Sequence, residues 1–480
     1  MPLCVILPTS ADEVSAIAAY CNERGVPLIP RGAATGLAGQ AIGMGVILDF
    51  TKSMNDILSF DSDSVSVQPG LVLGTLNQEL AKSGRFFPVD PASAAECTLG
   101  GMIGTNAAGA HGLRYGATKD HVRSLTIVLS NGEQVDLNHP FTNGSGTPFF
   151  GRITGTLAPL LRENAQTIKA RFPPVRKNSS GYNLKDAVAG KDIDLRKLIV
   201  GSEGTLAIVV KATLATMVKP LHRGGALIYL SSYDHATEAT LLALELGPSA
   251  IEILDHTYVA LAKGFKPEID RLILGGAKAL LYVEFEGNSG QDVQQSIIRL
   301  NRVVPLSHPL KFLPMTTEEE LCNLWELREQ ASRVINAGTR TSKASFIEDV
   351  AVPLENLPHY ITGLGRILNN YGIEFSLYGH AGTGNIHCAT FVDLTDLRHY
   401  RVIDTVALEV YDLAISLGGT LSGEHGDGFV RTPFLQRLYG AEVYELFRTV
   451  KRTFDPNNIL NPGKIIGDQH ATILHDLHLS

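Results

Sequence analysis

Read for the spacing of its apolar positions, the chain falls into two rhythms. In the first, Ser10 and Glu13 form a capping-box pattern ahead of Val14, Ile17, Ala18 and Cys21, and Gly25 stops the helix this predicts. Short apolar runs at 26–30 (VPLIP), 45–50 (GVILDF) and 64–69 (SVSVQP) predict strands, followed by a helix over 72–82. Asn131-Gly132, between SLTIVLS and EQVDL, is a two-residue hairpin signal. The stretch 198–214, LIVGSEGTLAIVVKATL, reads as two strands joined by a Gly-Ser-Glu-Gly turn. Up to Met217 the pattern predicts parallel and antiparallel strands mixed with short helices.

Past Lys219-Pro220 strand and helix alternate: GGALIYLSS, DHATEATLLALEL, SAIEILD, KALLYVEFEG, DVQQSIIRLNRVV. That order predicts an antiparallel sheet with helices on one face. Glu318 to Asn336 and Leu354 to Tyr371 read as helices with a strand, SFIEDVAVP, between them. An amphipathic helix from Thr395 carries Val402, Val406, Val410 and Leu413 to a stop at Gly418-Gly419. The fold class expected is α+β, in four parts: residues 1–217, a cap portion 218–420, a segment 421–468, and a tail 469–480.

Composition narrows the function. Lys and Arg total 41 against 49 Asp and Glu, for a net charge of −8 without any basic run, which argues against nucleic acid as partner. No apolar stretch reaches membrane-spanning length and the N-terminus lacks a signal-peptide pattern, so a cytoplasmic protein is expected. Five cysteines stand far apart, which predicts no internal iron-sulfur cluster.

Two kinds of segment carry chemistry. The loop after the strand at VPLIP, Arg31, Gly32, Ala33, Ala34, Thr35, Gly36, Leu37, Ala38, Gly39, Gln40, lets backbone N–H groups approach an anion, yet it is neither a P-loop nor G-x-G-x-x-G. Residues 98–110, TLGGMIGTNAAGA, are too rich in small residues for an ordinary helix interior and suit close approach to a flat ligand. The other kind is histidine-rich. If Glu374–His380 and Asn385–Phe391 form a hairpin with His380 opposite Asn385, His380 and His387 become diagonal neighbours about 7–8 Å apart at the backbone. Two imidazoles so placed can converge on one ion. In Ser422-Gly-Glu-His-Gly-Asp-Gly428, flanking glycines free Glu424 and His425 to face one cavity.

These motifs, with VDPAS, RYG, VGSEGTLAI, GHAGTGNIH, SGEHGDG and FDPNNILNPGKII, span almost the whole chain in the order of a known family. The chain resembles the FAD-linked oxidases of the vanillyl-alcohol oxidase/PCMH fold, in the branch of D-lactate dehydrogenase, D-2-hydroxyglutarate dehydrogenase and the glycolate oxidase flavin subunit. The resemblance implies a PCMH-type FAD-binding domain of two α/β subdomains under a cap. It implies noncovalent FAD held by Arg31, Gly32, Ala33, Ala34, Thr35, Gly36, Leu37, Gly39, Gln40, Pro91, Thr98, Gly100, Gly101, Thr105, Asn106, Gly109, Tyr115, Glu203, Gly204, Thr205, Ile208 and Asn461. It also implies a divalent metal, zinc being the expected ion, on His380, His387 and Glu424, with His425 as base and Arg328 on a substrate carboxylate. His111, near the flavin loop, is expected as a noncovalent neighbour.

Departures from the family pattern are informative. Gly32-Ala33-Ala34 stands where relatives often carry three glycines, and Ala389 replaces an Asn of D-2-hydroxyglutarate enzymes, with Lys343 the candidate to compensate. A small monocarboxylate such as D-lactate or glycolate is therefore favoured over D-2-hydroxyglutarate. The expected electron acceptor is a separate iron-sulfur or electron-transfer protein, or a quinone, and a homodimer is compatible with the reading. Two alternatives stay open from the sequence: a zinc-dependent hydrolase, and a non-catalytic flavoprotein electron-transfer subunit.

Overall fold

A computed structural model of the chain describes residues 2–468 apart from 142, 143, 145, 191, 338–341, 345 and 393–396. The expected tail 469–480 lies outside these, and so does the side chain of Lys343.

Two larger sheets organise the N-terminal half, beside two short two-stranded ones. In the first, β1 (Cys4–Ile6), β2 (Leu28–Arg31) and β3 (Val46–Asp49) run parallel in the order β1-β3-β2. Helix α1 (Ala11–Arg24) covers this sheet with Val14, Ala18 and Cys21. Ser10 caps it, Gly25 ends it at φ 65°, and the Glu13 carboxylate reaches back to the backbone N–H of Thr9 at 2.7 Å. The second sheet is antiparallel and combines β4 (Ile57–Phe60), β5 (Ser64–Val67), β6 (Val122–Val128), β7 (Gln134–Leu137) and β8 (Ile208–Ala215) in the order β4-β5-β8-β6-β7. The hairpin of β6 and β7 is present, but Leu129 pairs Glu133 and leaves a three-residue loop instead of two.

Two local expectations are corrected here. Leu195–Ile199 is a short helix started by the Asp194 side chain, and only β8 of the anticipated pair is a strand. Leu99–Thr105 is also a helix, α3 after α2 (Leu73–Ala81), despite its glycines. Its small residues answer to packing: a Cβ on Gly100 would sit 2.7 Å from Pro69 Cβ, and Thr98 caps the N-terminus by accepting from Gly101 N–H.

The C-terminal half is built on one eight-stranded sheet of β9 (His222–Leu230), β10 (Ala250–Asp255), β11 (Ala279–Gly287), β12 (Lys311–Met315), β13 (Ser342–Ala344), β14 (Val350–Ala351), β15 (Glu374–His380) and β16 (Asn385–Val392). The order is β12-β9-β11-β10-β15-β16-β13, with β14 also on β16, and every pairing is antiparallel. Side-chain alternation splits it into two faces. Ala226, Ile228, Ile253, Leu281, Val283 and Leu377 point to the layer containing α4 (Tyr233–Leu244), α5 (Gly290–Val303) and α7 (Leu357–Asn370). The opposite face carries Leu227, Tyr229, Leu254, Tyr282 and Ala389 and receives a second group, chiefly α6 (Glu318–Ala337), which the pattern alone did not place. This second face bears Glu252, His380 and His387. Among its described residues SFIEDVAVP is strand only at β14; Phe346–Asp349 turns, which frees Glu348 and Asp349 from sheet alternation. Helix α8 (Leu397–Ser416) ends at Gly418, φ 75°. The chain then returns through α9 (Leu435–Phe454) to the first sheet, where Leu460 bridges Leu28. No helix among the described residues is long and apolar enough to cross a membrane.

Candidate active site

The loop 32–37 leaves β2 and runs along a cavity of about 750 Å³. Among the described residues none of its backbone N–H groups donates to a protein acceptor, and the buried Arg31 Nε has no partner either. Ala34 sits at φ 57°. Unbonded amides beside a guanidinium are an anion cradle, as a pyrophosphate requires. Facing them are Asp90–Ser93, the N-terminus of α3, Ala107–Ala110 and Ser202–Gly204, small enough for a flat ring to lie against. The site thus fits a flavin dinucleotide by its donors and its small-residue walls.

Of the predicted FAD contacts, Arg31 to Leu37, Gln40, Pro91, Thr98, Gly100, Gly101, Thr105, Gly109, Glu203 and Gly204 line this cavity. The remaining six do not. Gly39, at φ 84°, packs on Phe429, and Asn106 caps the end of α3. Tyr115 OH donates to Glu286, Thr205 Oγ1 donates to Ser202 O, and Ile208 is buried against the first sheet. Asn461 Nδ2 donates to both Gln40 O and Glu203 O, at 2.9 and 2.7 Å, and so ties two lining loops together from behind. These six stand behind the walls, with Tyr115 OH, Thr205 Oγ1 and Asn461 Nδ2 engaged within the protein, while the buried Asn461 Oδ1 has no partner among the described residues.

At the other end of the same cavity stand His380, His387, Glu424, His425 and Arg328. The hairpin register is His380↔Asn385 and Tyr378↔His387, which sets the two histidines diagonally on the site face. Their Nε2 atoms are 3.3 Å apart, and each approaches Glu424 Oε1, at 2.9 and 3.3 Å. A tetrahedral ion with bonds of about 2.0–2.1 Å needs donors about 3.3–3.4 Å apart, so these three atoms fit one divalent cation. His425 stacks on His387 at 5.1 Å, and its Nδ1 meets Glu348 Oε1 at 2.8 Å. Arg328 Nε donates to Glu252 Oε2 at 2.9 Å from helix α6, and its guanidinium lies over Trp325.

Residues 219–465 match the family of FAD linked oxidases, C-terminal domain, and residues 2–138 match the FAD binding domain family. The glycolate oxidase subunit GlcD of Bacillus subtilis is 31% identical over 97% of this chain and 89% of its own length. The chain belongs to the FAD-linked oxidase family. A D-2-hydroxyglutarate dehydrogenase of Escherichia coli is also 31% identical over 97% of the chain, but the match spans 48% of that protein, about half its length. The p-cresol methylhydroxylase structure with substrate bound superposes with a TM-score of 0.70 at 17% identity, over 97% of this chain and 89% of that one, which shows the PCMH-type fold. This family is one of flavin oxidoreductases, and the hydrolase alternative falls with it.

Around the FAD-linked oxidase's histidines lies a charged network that motif reading missed. Lys177 Nζ donates to Glu424 Oε2 at 2.7 Å and to Gly109 O at 2.9 Å, joining the histidine cluster to the small-residue wall. Asp349 Oδ2 accepts from Ser422 Oγ, Glu424 N–H and His425 N–H, at 2.6, 3.0 and 2.7 Å, while Oδ1 accepts from Asn385. Although Asp349 lies near the same donors as His387, Glu424 and His425, its oxygens are committed to shaping the 422–425 loop. Glu252 Oε1 meets His380 Nδ1 at 2.6 Å, and the fully buried Arg431 donates to Glu348 at 2.8 Å. Only the spacing of acids within SFIEDV hinted at Glu348 and Asp349; nothing local pointed to Lys177 or Glu252.

The electrostatics follow from this network. Burial pushes the Glu424 carboxyl up, but Lys177 and His380 outweigh it and hold the group well below the usual carboxylate range. His387 is lowered by burial and by its imidazole neighbours, which favours the neutral form a cation needs. For His425 burial also acts downward, yet the Asp349 and Glu348 carboxylates win and raise it to about 9.

Proposed function

We propose that the protein oxidises a small D-2-hydroxy acid, glycolate or D-lactate in preference to D-2-hydroxyglutarate, to the 2-oxo acid. In this reading FAD is held noncovalently by the small-residue loops, and a divalent cation of zinc type is held by His380, His387 and Glu424. The observation that carries it is the single cavity running from the unbonded amides of 32–37 to the cluster of His380, His387, Glu424, His425 and Arg328.

Each residue has a task that its contacts suit. No described residue accepts from the terminal nitrogens of Arg328, whose Nε is taken by Glu252; that edge is a fork for a carboxylate. His425 Nδ1 is engaged by Glu348, so Nε2 is the nitrogen that receives the hydroxyl proton. Trp325 and Tyr378 form an aromatic wall, and the buried Ala389 offers no amide for a second carboxylate. When bound, the cation acidifies the substrate hydroxyl and the flavin accepts the C2 hydride. All five cysteines are free and dispersed, in keeping with electrons leaving to a separate acceptor, an iron-sulfur or electron-transfer protein or a quinone.

Anaerobic mixing of the flavin-loaded protein with a panel of D- and L-2-hydroxy acids tests the reading. Flavin absorbance should bleach with glycolate or D-lactate and stay with the L-acids. A flavin that no 2-hydroxy acid reduces ends the proposal.

A further inference from the structure

Glu252 is 1% exposed on β10, between β11 and β15, and its side chain hydrogen-bonds neither the 32–37 loop nor the 422–425 turn. Its two oxygens go to two different functional groups: Oε1 to His380 Nδ1 at 2.6 Å, and Oε2 to Arg328 Nε at 2.9 Å. His380 stands on β15 and Arg328 on α6, and among the described residues Glu252 is the one side chain hydrogen-bonded to both. We propose that Glu252 is a positioning residue that sets the span between the carboxylate-binding arginine and the cation site, and thereby selects acids whose hydroxyl is on the carbon next to the carboxylate.

This deepens the functional reading above and rests on it. A carboxylate on Nδ1–H would hold a cation-bound His380 in the tautomer whose lone pair is at Nε2, on the side of Glu424 and His387. The same carboxylate, by taking Arg328 Nε, turns the guanidinium's two-nitrogen edge toward the cavity. One rigid group on a central strand therefore aims both anchors, and strand pairing keeps it from adjusting. A 2-hydroxy acid meets the two anchors at once; a 3-hydroxy acid places its hydroxyl one carbon too far. The charge balance agrees: burial acts to raise Glu252, and His380 and Arg328 together hold it ionised.

The test uses the flavin-loaded protein and the Glu252→Gln variant, in which one side-chain atom can still accept and the other cannot. Zn²⁺ affinity, measured against a chromophoric chelator without substrate, should fall about 10- to 100-fold, the usual cost of losing such a partner of a metal-ligating histidine. KM for glycolate should rise more than kcat falls, and the preference for glycolate over 3-hydroxypropionate should shrink. The flavin spectrum and Tm should stay near wild type. If the Gln variant does not fold, Glu252→Asp, which keeps the charge but shortens the reach, should show the same losses. A variant with wild-type Zn²⁺ affinity and wild-type preference overturns this inference alone. A wild-type protein that binds no divalent cation overturns the functional reading, and this inference with it.

Discussion

His425 concentrates the chemistry in one side chain, and its environment makes the pH dependence explicit. A base accepts a proton only when neutral, so flavin reduction should accelerate as pH rises through the His425 ionisation, which Asp349 and Glu348 hold up at about 9. A cation bound at His380, His387 and Glu424 would disfavour the imidazolium, so loading should move the ionisation down. Removing one supporting charge should do likewise: in Glu348→Gln the pH profile of flavin reduction should shift to lower pH. Rapid-mixing rates across a pH series decide it, and an unmoved profile would mean that another group titrates. Replacing the base itself, His425→Asn, should slow flavin reduction by about 10²–10⁴-fold with FAD still bound. A near wild-type rate would assign the proton to a different acceptor.

At the scale of elements, the β15–β16 hairpin was legible because strand alternation has a period of two, and a four-residue turn fixes the diagonal of His380 and His387. The turn is unforgiving. Gly384 sits at φ 71°, and a Cβ there would lie 2.1 Å from Val352 O. Gly384→Ala should therefore destabilise the protein by more than about 1 kcal/mol and weaken cation binding, visible as a lower Tm and a weaker Zn²⁺ titration. His380→Ala, by contrast, should abolish cation binding while the flavin spectrum stays, because the loops that cradle the flavin belong to other elements. Other elements were less legible for physical reasons. Glycine density argued against a helix at Leu99–Thr105, but close packing on Pro69 pays for glycine there. In Phe346–Asp349 the apolar-polar pattern suggested strand, whereas the demand of the 422–425 loop for the Asp349 carboxylate bends the chain into a turn.

Across the whole molecule, the order of motifs made the fold and the ends of the cavity readable, while the connecting network stayed hidden. Lys177 and Glu424 are 247 residues apart, and Glu252 and His380 are 128 apart, beyond the reach of any local spacing rule. The same long-range closure governs the cofactor. His111, the histidine nearest in sequence to the small-residue wall, has both ring nitrogens engaged, Nδ1 by Asp90 at 2.5 Å and Nε2 by Glu284 at 2.9 Å, so neither is free to bond a flavin. Acid or heat denaturation should release the FAD into the supernatant, and flavin left on the precipitate would refute noncovalent binding. Retention in the folded state should instead depend on the returning C-terminal segment, whose Asn461 amide donates to both Gln40 O and Glu203 O. Asn461→Ala leaves both carbonyls without that donor, at a cost of about 1–3 kcal/mol, and lets the loops part. FAD affinity in reconstitution titrations should fall about tenfold or more, and added FAD should raise the variant's Tm less than it raises wild type at equal concentration. Equal affinities would show that the cavity closes without the C-terminal segment's help.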